Sequence, residues 1–177
     1  IKTLQPRYNI LLKDDKTYPW IVVRREHFPR VQSTRQLNRD GSQYFGPYGS
    51  VVMQHSVLDF IREVVPLRTC KLNLAPEQIA KGKYTVCLQY HLGNCKGPCV
   101  GAQSEEEYDA LVDMTVSILK GDLRPVRTYL EKEMEAAARN LKFEVAQRYK
   151  TRLDALDNYS SKSVTVSYTH LTLPTKL

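Results

Sequence analysis

Apolar and polar positions follow different rhythms along this chain. Residues 20–25, Trp20-Ile-Val-Val-Arg-Arg25, form a β-branched run, and residues 30–35, Arg30-Val-Gln-Ser-Thr-Arg35, a weaker one. Both predict strands, with His27-Phe28-Pro29 as the turn between them. Asn38-Arg-Asp-Gly41 predicts another turn, and the aromatic, glycine-bearing Tyr44-Phe-Gly-Pro-Tyr48 reads as a loop rather than a strand. From Ser50 to Val65 the apolar residues Val57, Leu58, Ile61, Val64 and Val65 recur at helical spacing, and Pro66 ends that helix. Upstream, residues 1–17 read as the end of a helix, a turn at Pro6 and a short extended piece.

The rhythm fades between Cys70 and Cys99 and returns after Val100. Ser104 with Glu107 makes a capping box, and the helix behind it presents Tyr108, Leu111, Thr115 and Ile118 on one stripe until Gly121. A second helix begins near Leu123, with Val126, Leu130, Met134, Ala137 and Leu141 on one stripe. A third begins near Phe143, with Ala146, Tyr149, Leu153 and Leu156 at coiled-coil spacing. Asn140-Leu-Lys is too short a link for anything but an antiparallel helical hairpin, predicted over residues 122–158. Two such helices bury little alone and usually need a further partner. Phe143 and Leu141 fall at the hairpin tip, where burial within one hairpin is hard, and an exposed apolar tip reads as a docking site. The order of elements predicts an α+β fold: a small mixed N-terminal part over 20–66, a cysteine-rich region over 67–101, a linking helix over 102–121, and the hairpin.

The stretch without rhythm holds all four cysteines, Cys70, Cys87, Cys95 and Cys99, spaced C-x16-C-x7-C-x3-C. Four thiolates are a full ligand set for one zinc ion or one iron–sulfur cluster. Gly93, Gly97 and Pro98 let the chain bend between ligands and aim N–H groups at sulfur. Two disulfides are the alternative, but the chain is long enough to build a core without them. Spacing leaves zinc and iron–sulfur open, since only Cys95-x3-Cys99 resembles a zinc knuckle. His91 lies among the cysteines and reads as a spectator.

Composition changes the picture in one respect. Hydrophobic residues make up 42% of the 177 residues, enough for a packed core. The net charge is +7, and residues 1–40, with nine Lys/Arg against four acids, carry +5 of it. Lys13, Lys16, Arg24, Arg25, Arg30 and Arg35 therefore become candidates for phosphate contact, against the plainer reading of a solvated basic face. Asp14 and Asp15 sit among lysines and read as a solvated turn, not a metal site. Tyr44, Phe45 and Tyr48 could stack on bases but read better as residues packing a loop onto the core. No stretch approaches the ~20 apolar residues of a membrane span. Residues 159–177 predict a tail; Val166–Leu177, Thr-rich and acid-free, looks like translated adapter sequence or disorder, and His170 within it carries no functional expectation.

In order along the chain, Pro6-Arg-Tyr-Asn9, Leu12-Lys-Asp-Asp-Lys16, Tyr18-Pro19, Phe28-Pro-Arg30, Thr34-Arg35, Tyr44-Phe-Gly-Pro-Tyr48, Leu67-Arg-Thr-Cys70 and Cys95-Lys-Gly-Pro-Cys-Val-Gly101 resemble the UvrC subunit of the bacterial excinuclease. The resemblance covers roughly residues 1–163, with the hairpin similar to the UVR motif that binds UvrB. It implies a cytoplasmic subunit of nucleotide excision repair, cutting damaged double-stranded DNA beside lesions. It implies that the four cysteines hold a 4Fe–4S cluster. It implies UvrB as partner, docked on Leu141 and Phe143 with Ala146 and Tyr149 beside them. Residues 1–19 would be the end of a GIY-YIG nuclease domain, with Asn9 in a supporting active-site role. The divalent metal of that site and its glutamate, tyrosine and arginine would lie before Ile1, so the chain is expected to be an internal fragment that does not cut DNA alone. A zinc-binding nucleic-acid or protein adaptor is the rival from another class.

Overall fold

The computed structural model describes residues 18–169, with side chains to residue 161. Asn9, Lys13 and Lys16, the extended piece expected within 1–17, and residues 170–177 with His170 lie outside the described residues. Strand β1 (Trp20–Val23) is the centre of a three-stranded antiparallel sheet, flanked by β2 (Val31–Thr34) and β3 (Gln43–Phe45). Ile21 stands opposite Ser33 on one side and Phe45 on the other. The β-branched run is therefore the strand with neighbours on both edges, as its burial requires. The segment expected as a loop at Tyr44 is corrected here: Gln43–Phe45 pairs with β1, and the loop begins only at the cis Gly46–Pro47 bond. Phe45 and Tyr48 pack against the core, as expected of them.

Helix α1 (Val51–Val64) starts where the Ser50 hydroxyl accepts the Met53 N–H at 3.1 Å and stops before Pro66. It lies across the sheet. Val57, Leu58, Phe60, Ile61 and Val64 face inward, joining Ile21 and Val23. Buried Gln54 donates to the Trp20 carbonyl and fixes helix to strand. Helix α2 (Pro76–Ala80), helix α3 (Leu88–His91) and a 3-10 turn (Pro98–Val100) make up the cysteine region.

Helix α4 (Glu105–Leu119) is capped as expected, Ser104 Oγ accepting the Glu107 N–H at 3.2 Å. Its Tyr108 is fully buried, edge-on to Phe28 with ring centroids 5.1 Å apart. The Tyr108 hydroxyl donates to the Pro29 carbonyl at 2.9 Å and accepts the Arg68 N–H at 3.3 Å. One side chain thus ties the last half of the chain to the β1–β2 turn.

Helices α5 (Arg124–Arg139) and α6 (Phe143–Thr169) form the predicted hairpin, closed by Val126, Leu130 and Ala137 against Tyr149, Leu153 and Leu156. An ion pair between Arg127 and Asp157 joins their outer ends. The further partner such a pair needs is α1: Tyr159 stacks on Phe60 with centroids 3.9 Å apart, and Arg152 Nε donates to the Glu63 carbonyl at 3.1 Å. One boundary is corrected as well. The helix expected to give way to a tail after residue 158 continues to Thr169.

Candidate metal centre and docking surface

The cysteine region hangs from one buried arginine. Arg68, 2% exposed, donates from Nε to the Phe28 carbonyl at 2.7 Å and from Nη1 to the Leu72 carbonyl at 2.8 Å. Its Nη2 reaches Glu26 at 3.2 Å and the His27 carbonyl at 3.3 Å. Glu26 is shared with Arg30, whose Nε lies 2.6 Å away. Burial pushes the Glu26 carboxyl up, but the Arg30 hydrogen bond and the charges of Arg68 and Arg30 outweigh it and hold it below the usual carboxylate range.

Cys70 follows this clamp and is half-buried; Cys87 is exposed at the start of α3; Cys95 and Cys99 are buried on either side of Gly97. Gly97 has φ +75° and Gly101 φ +72°, left-handed values that turn the backbone sharply around Cys99. All four cysteines are free, so the disulfide alternative is not formed. Burial pushes the Cys95 thiol up, the Gly97 N–H pulls it down, and the sulfurs of Cys70, Cys87 and Cys99 push it further up. Burial also raises Cys99, with Cys70 and Cys87 adding to it against N–H groups of Cys99 and Val100. Cys95 therefore feels the other three sulfurs, and Cys99 those of Cys70 and Cys87. Such thiols resist ionising until a metal supplies the compensating positive charge. Among the described residues no group of three or more His, Cys, Asp or Glu is arranged to hold an ion as it stands. The donor set nonetheless fits a thiolate-ligated group in its chemistry: all sulfur, partly buried, and with backbone N–H groups turned onto two sulfurs. Gln103, four residues beyond Cys99, is 3% exposed with neither amide atom bonded, a donor left for a nearby acceptor. His91 is exposed beside Tyr90.

The N-terminal arginines divide. Arg25 and Arg35 are exposed, and Arg24 lies 3.7 Å from Asp40. Arg30 has only 19% of its side chain exposed and is taken up by Glu26, so it belongs to the clamp rather than to a phosphate-binding face. Read in order, Arg30 counts among the basic residues and Arg68 stands out only as part of Leu67-Arg-Thr-Cys70; the one signal of its burial is its place directly after the apolar Leu67.

At the hairpin tip, the Lys142 N–H bonds the Ala137 carbonyl at 2.9 Å and the Leu141 N–H bonds the Ala138 carbonyl at 3.0 Å. That pairing ends α5 in a Schellman turn with Leu141 at φ +55°, where glycine is usual. Leu141 is 74% exposed and Phe143 67%. Ala146 is half-buried. Tyr149 turns inward, its hydroxyl donating to Glu133 at 3.2 Å, so it is hairpin core rather than docking surface.

Residues 18–118 match the family model described as "UvrC/Cho excinuclease, middle domain", and residues 129–159 match the "UvrB/uvrC motif". The chain belongs to the UvrC family. It is 49% identical over 94% of its length to UvrABC system protein C of Flavobacterium johnsoniae, 51% to that of Bacteroides fragilis and 48% to that of Chlorobaculum tepidum. It covers 28%, 28% and 27% of these relatives, a little over a quarter of their length. No solved structure matches it. Sheet, clamp, cysteine region and most of α4 thus belong to one UvrC middle domain, and the exposed tip belongs to the motif that UvrB and UvrC share. The stand-alone adaptor reading is set aside by these matches. No helix among the described residues is long and apolar enough to cross a membrane.

Proposed function

We propose that this UvrC segment serves nucleotide excision repair by holding a 4Fe–4S cluster, contacting the DNA backbone near a lesion, and docking on UvrB. The observation that carries the reading is the hairpin tip: two large apolar side chains stand in water on a motif shared with UvrB, one of them in a backbone conformation that costs about 1–2 kcal/mol for a non-glycine residue. A second hairpin laid against this one would form a small four-helix bundle and bury both. Cys70, Cys87, Cys95 and Cys99 would hold the cluster, which when bound supplies iron–sulfur bonds that tie the loops together and a centre able to carry an electron. Arg68 and Glu26 keep those loops against the sheet. Arg24, Arg25 and Arg35 offer charge to phosphates.

Phe143→Ala is expected to weaken binding of UvrB by about 2 kcal/mol or more, roughly thirtyfold, with little change in melting temperature. Leu141→Gly is expected to weaken it too while leaving the hairpin as stable or more so, because relief of the left-handed strain offsets the ~0.5–1 kcal/mol entropy cost of glycine. Calorimetric titration beside a melting curve checks both. Binding that survives Phe143→Ala intact, or falls only in step with unfolding, overturns the docking assignment.

DNA binding through the N-terminal face should be independent of sequence and steep in salt. Arg24→Ala with Arg25→Ala should reduce the slope of log affinity against log salt on duplex DNA by about 1.8, near 0.9 for each phosphate no longer neutralised. An unchanged slope would mark these arginines as a solvated face.

A further inference from the structure

A cleft of about 670 Å³ separates the Cys95 loop from the first turns of α6. Its Lys and Arg lining is Lys96 from the loop and Lys142, Arg148 and Arg152 from the hairpin, with His91 also present, and Cys95 of the thiolate set lines it too, one sulfur against four cations. No carboxylate lines it, and none of the four Lys/Arg side chains has an acidic partner among the described residues. On the hairpin side, Glu133 is engaged by the Tyr149 hydroxyl, and Glu144, one turn before Arg148, does not line the cleft. Four unpaired cations facing one space are costly unless an anion joins them.

Three of the cations are also held in place. Arg152 is 9% exposed and is fixed by two backbone carbonyls, Glu63 at 3.1 Å and Gly93 at 2.8 Å. Arg148 lies against Gly93, in space that any Cβ there would fill, and Gly93 has φ +75°. Lys96 sits over the Tyr129 ring, 5.7 Å from its centroid. At the rim, Tyr90 rests on Gly97, again where a Cβ would collide, and keeps 38% of its surface exposed. Fixed cations next to an exposed aromatic ring match the two needs of an unpaired nucleic-acid strand, phosphate neutralisation and base stacking. An acidic peptide would use the cations and leave the ring without a role.

We propose that this cleft seats the phosphate backbone of a single-stranded or unpaired stretch of DNA, with Tyr90 stacking on a base. It is a second DNA contact, borne jointly by the cysteine region and the hairpin, and it rests on the reading of this chain as a DNA-contacting UvrC segment. Because one wall lies within a turn or two of the hairpin tip, strand binding and UvrB docking take place on adjacent surfaces of α6.

The test uses the 177-residue chain, metal-loaded as purified, and a fluorescently labelled oligodeoxythymidine followed by anisotropy across a salt series. Lys142→Ala with Arg148→Ala is chosen because both side chains are exposed, and the fold is checked by melting. The slope of log affinity against log salt should fall by about 1.4, which corresponds to roughly 25-fold weaker binding at 0.1 M salt. Tyr90→Ala should lower affinity with no change in slope. Arg24→Ala with Arg25→Ala should leave the single-strand slope unchanged; whether those variants lose duplex affinity decides the N-terminal reading without touching this one. Unaltered oligonucleotide binding by the Lys142/Arg148 variant overturns the proposal. So does a loss confined to UvrB affinity, which would make the cleft a seat for acidic protein side chains. Loss of bound metal in step with oligonucleotide affinity overturns it as well, because the cations would then be counter-charges to the thiolates.

Discussion

Arg68→Ala is expected to destabilise the protein by about 3–5 kcal/mol, the cost of breaking a buried, hydrogen-bonded ion pair by removing one partner. The guanidinium is 1% exposed and serves five acceptors on two separate segments: the Glu26 carboxylate and the carbonyls of His27 and Phe28 on the β1–β2 turn, and the Cys70 and Leu72 carbonyls in the cysteine region. Truncation leaves carbonyls unsatisfied in a space water cannot readily fill, at about 1–3 kcal/mol for each buried group. Arg68→Lys should not rescue it, because one ammonium cannot reproduce a planar fork that reaches both sides. For a chain of this size the loss corresponds to a fall in melting temperature on the order of 10 °C. Urea melts with Arg68→Ala and Glu26→Gln check it. A change below about 1 kcal/mol would show that the clamp is dispensable. Since Glu26 is held below its ordinary carboxylate value, its share of the stability is present at neutral pH and is lost as pH falls through the folded-state value. The Arg68 variant should lose part of that acid dependence.

Cys95→Ser should remove most of the bound metal and loosen residues 67–100 far more than the hairpin. None of residues 75–94 is buried, so between Leu74 and Cys95 the chain has almost no apolar anchor of its own. Its order must come from Arg68 at one end, Cys95 and Cys99 at the other, and whatever the thiolates bind. Metal binding to such a region is folding free energy, about 10–16 kcal/mol for structural zinc in small peptides. Loss of one thiolate ligand should therefore be read locally. Hydrogen exchange should rise across 67–100 while α5 and α6 keep their protection. Iron and zinc analysis with a visible spectrum of anaerobically purified protein shows which metal is lost: broad absorption that disappears in Cys95→Ser supports the cluster, and zinc without colour overturns it. Metal content unchanged by the substitution would remove Cys95 from the ligand set.

The helical half of this fold could be read from the chain because helices are local objects. Ser104 caps α4 in the structure as its type requires, its hydroxyl accepting the Glu107 N–H. Val126, Leu130 and Ala137, and Tyr149, Leu153 and Leu156, are the buried seam because a 3.6-residue period places them on one side before any partner arrives. The short Asn140-Leu-Lys link then forces the two helices together and leaves Leu141 and Phe143 outside. Other features depend on residues far apart in the chain. Tyr44 and Phe45 become a strand only because β1, more than twenty residues earlier, offers its open edge in register. Helix α6 continues past residue 158 as Tyr159 packs on Phe60 of α1. Arg30, a basic residue like its neighbours when read in order, is withdrawn from the surface by Glu26, which in turn is held by Arg68 from 42 residues away. The cleft of Lys96, Lys142, Arg148 and Arg152 has the same origin: no window of the chain contains it, and it exists only where the hairpin folds back onto the cysteine loop. Periodicity records what a segment buries; which distant charges end up facing one another is decided when the segments pack.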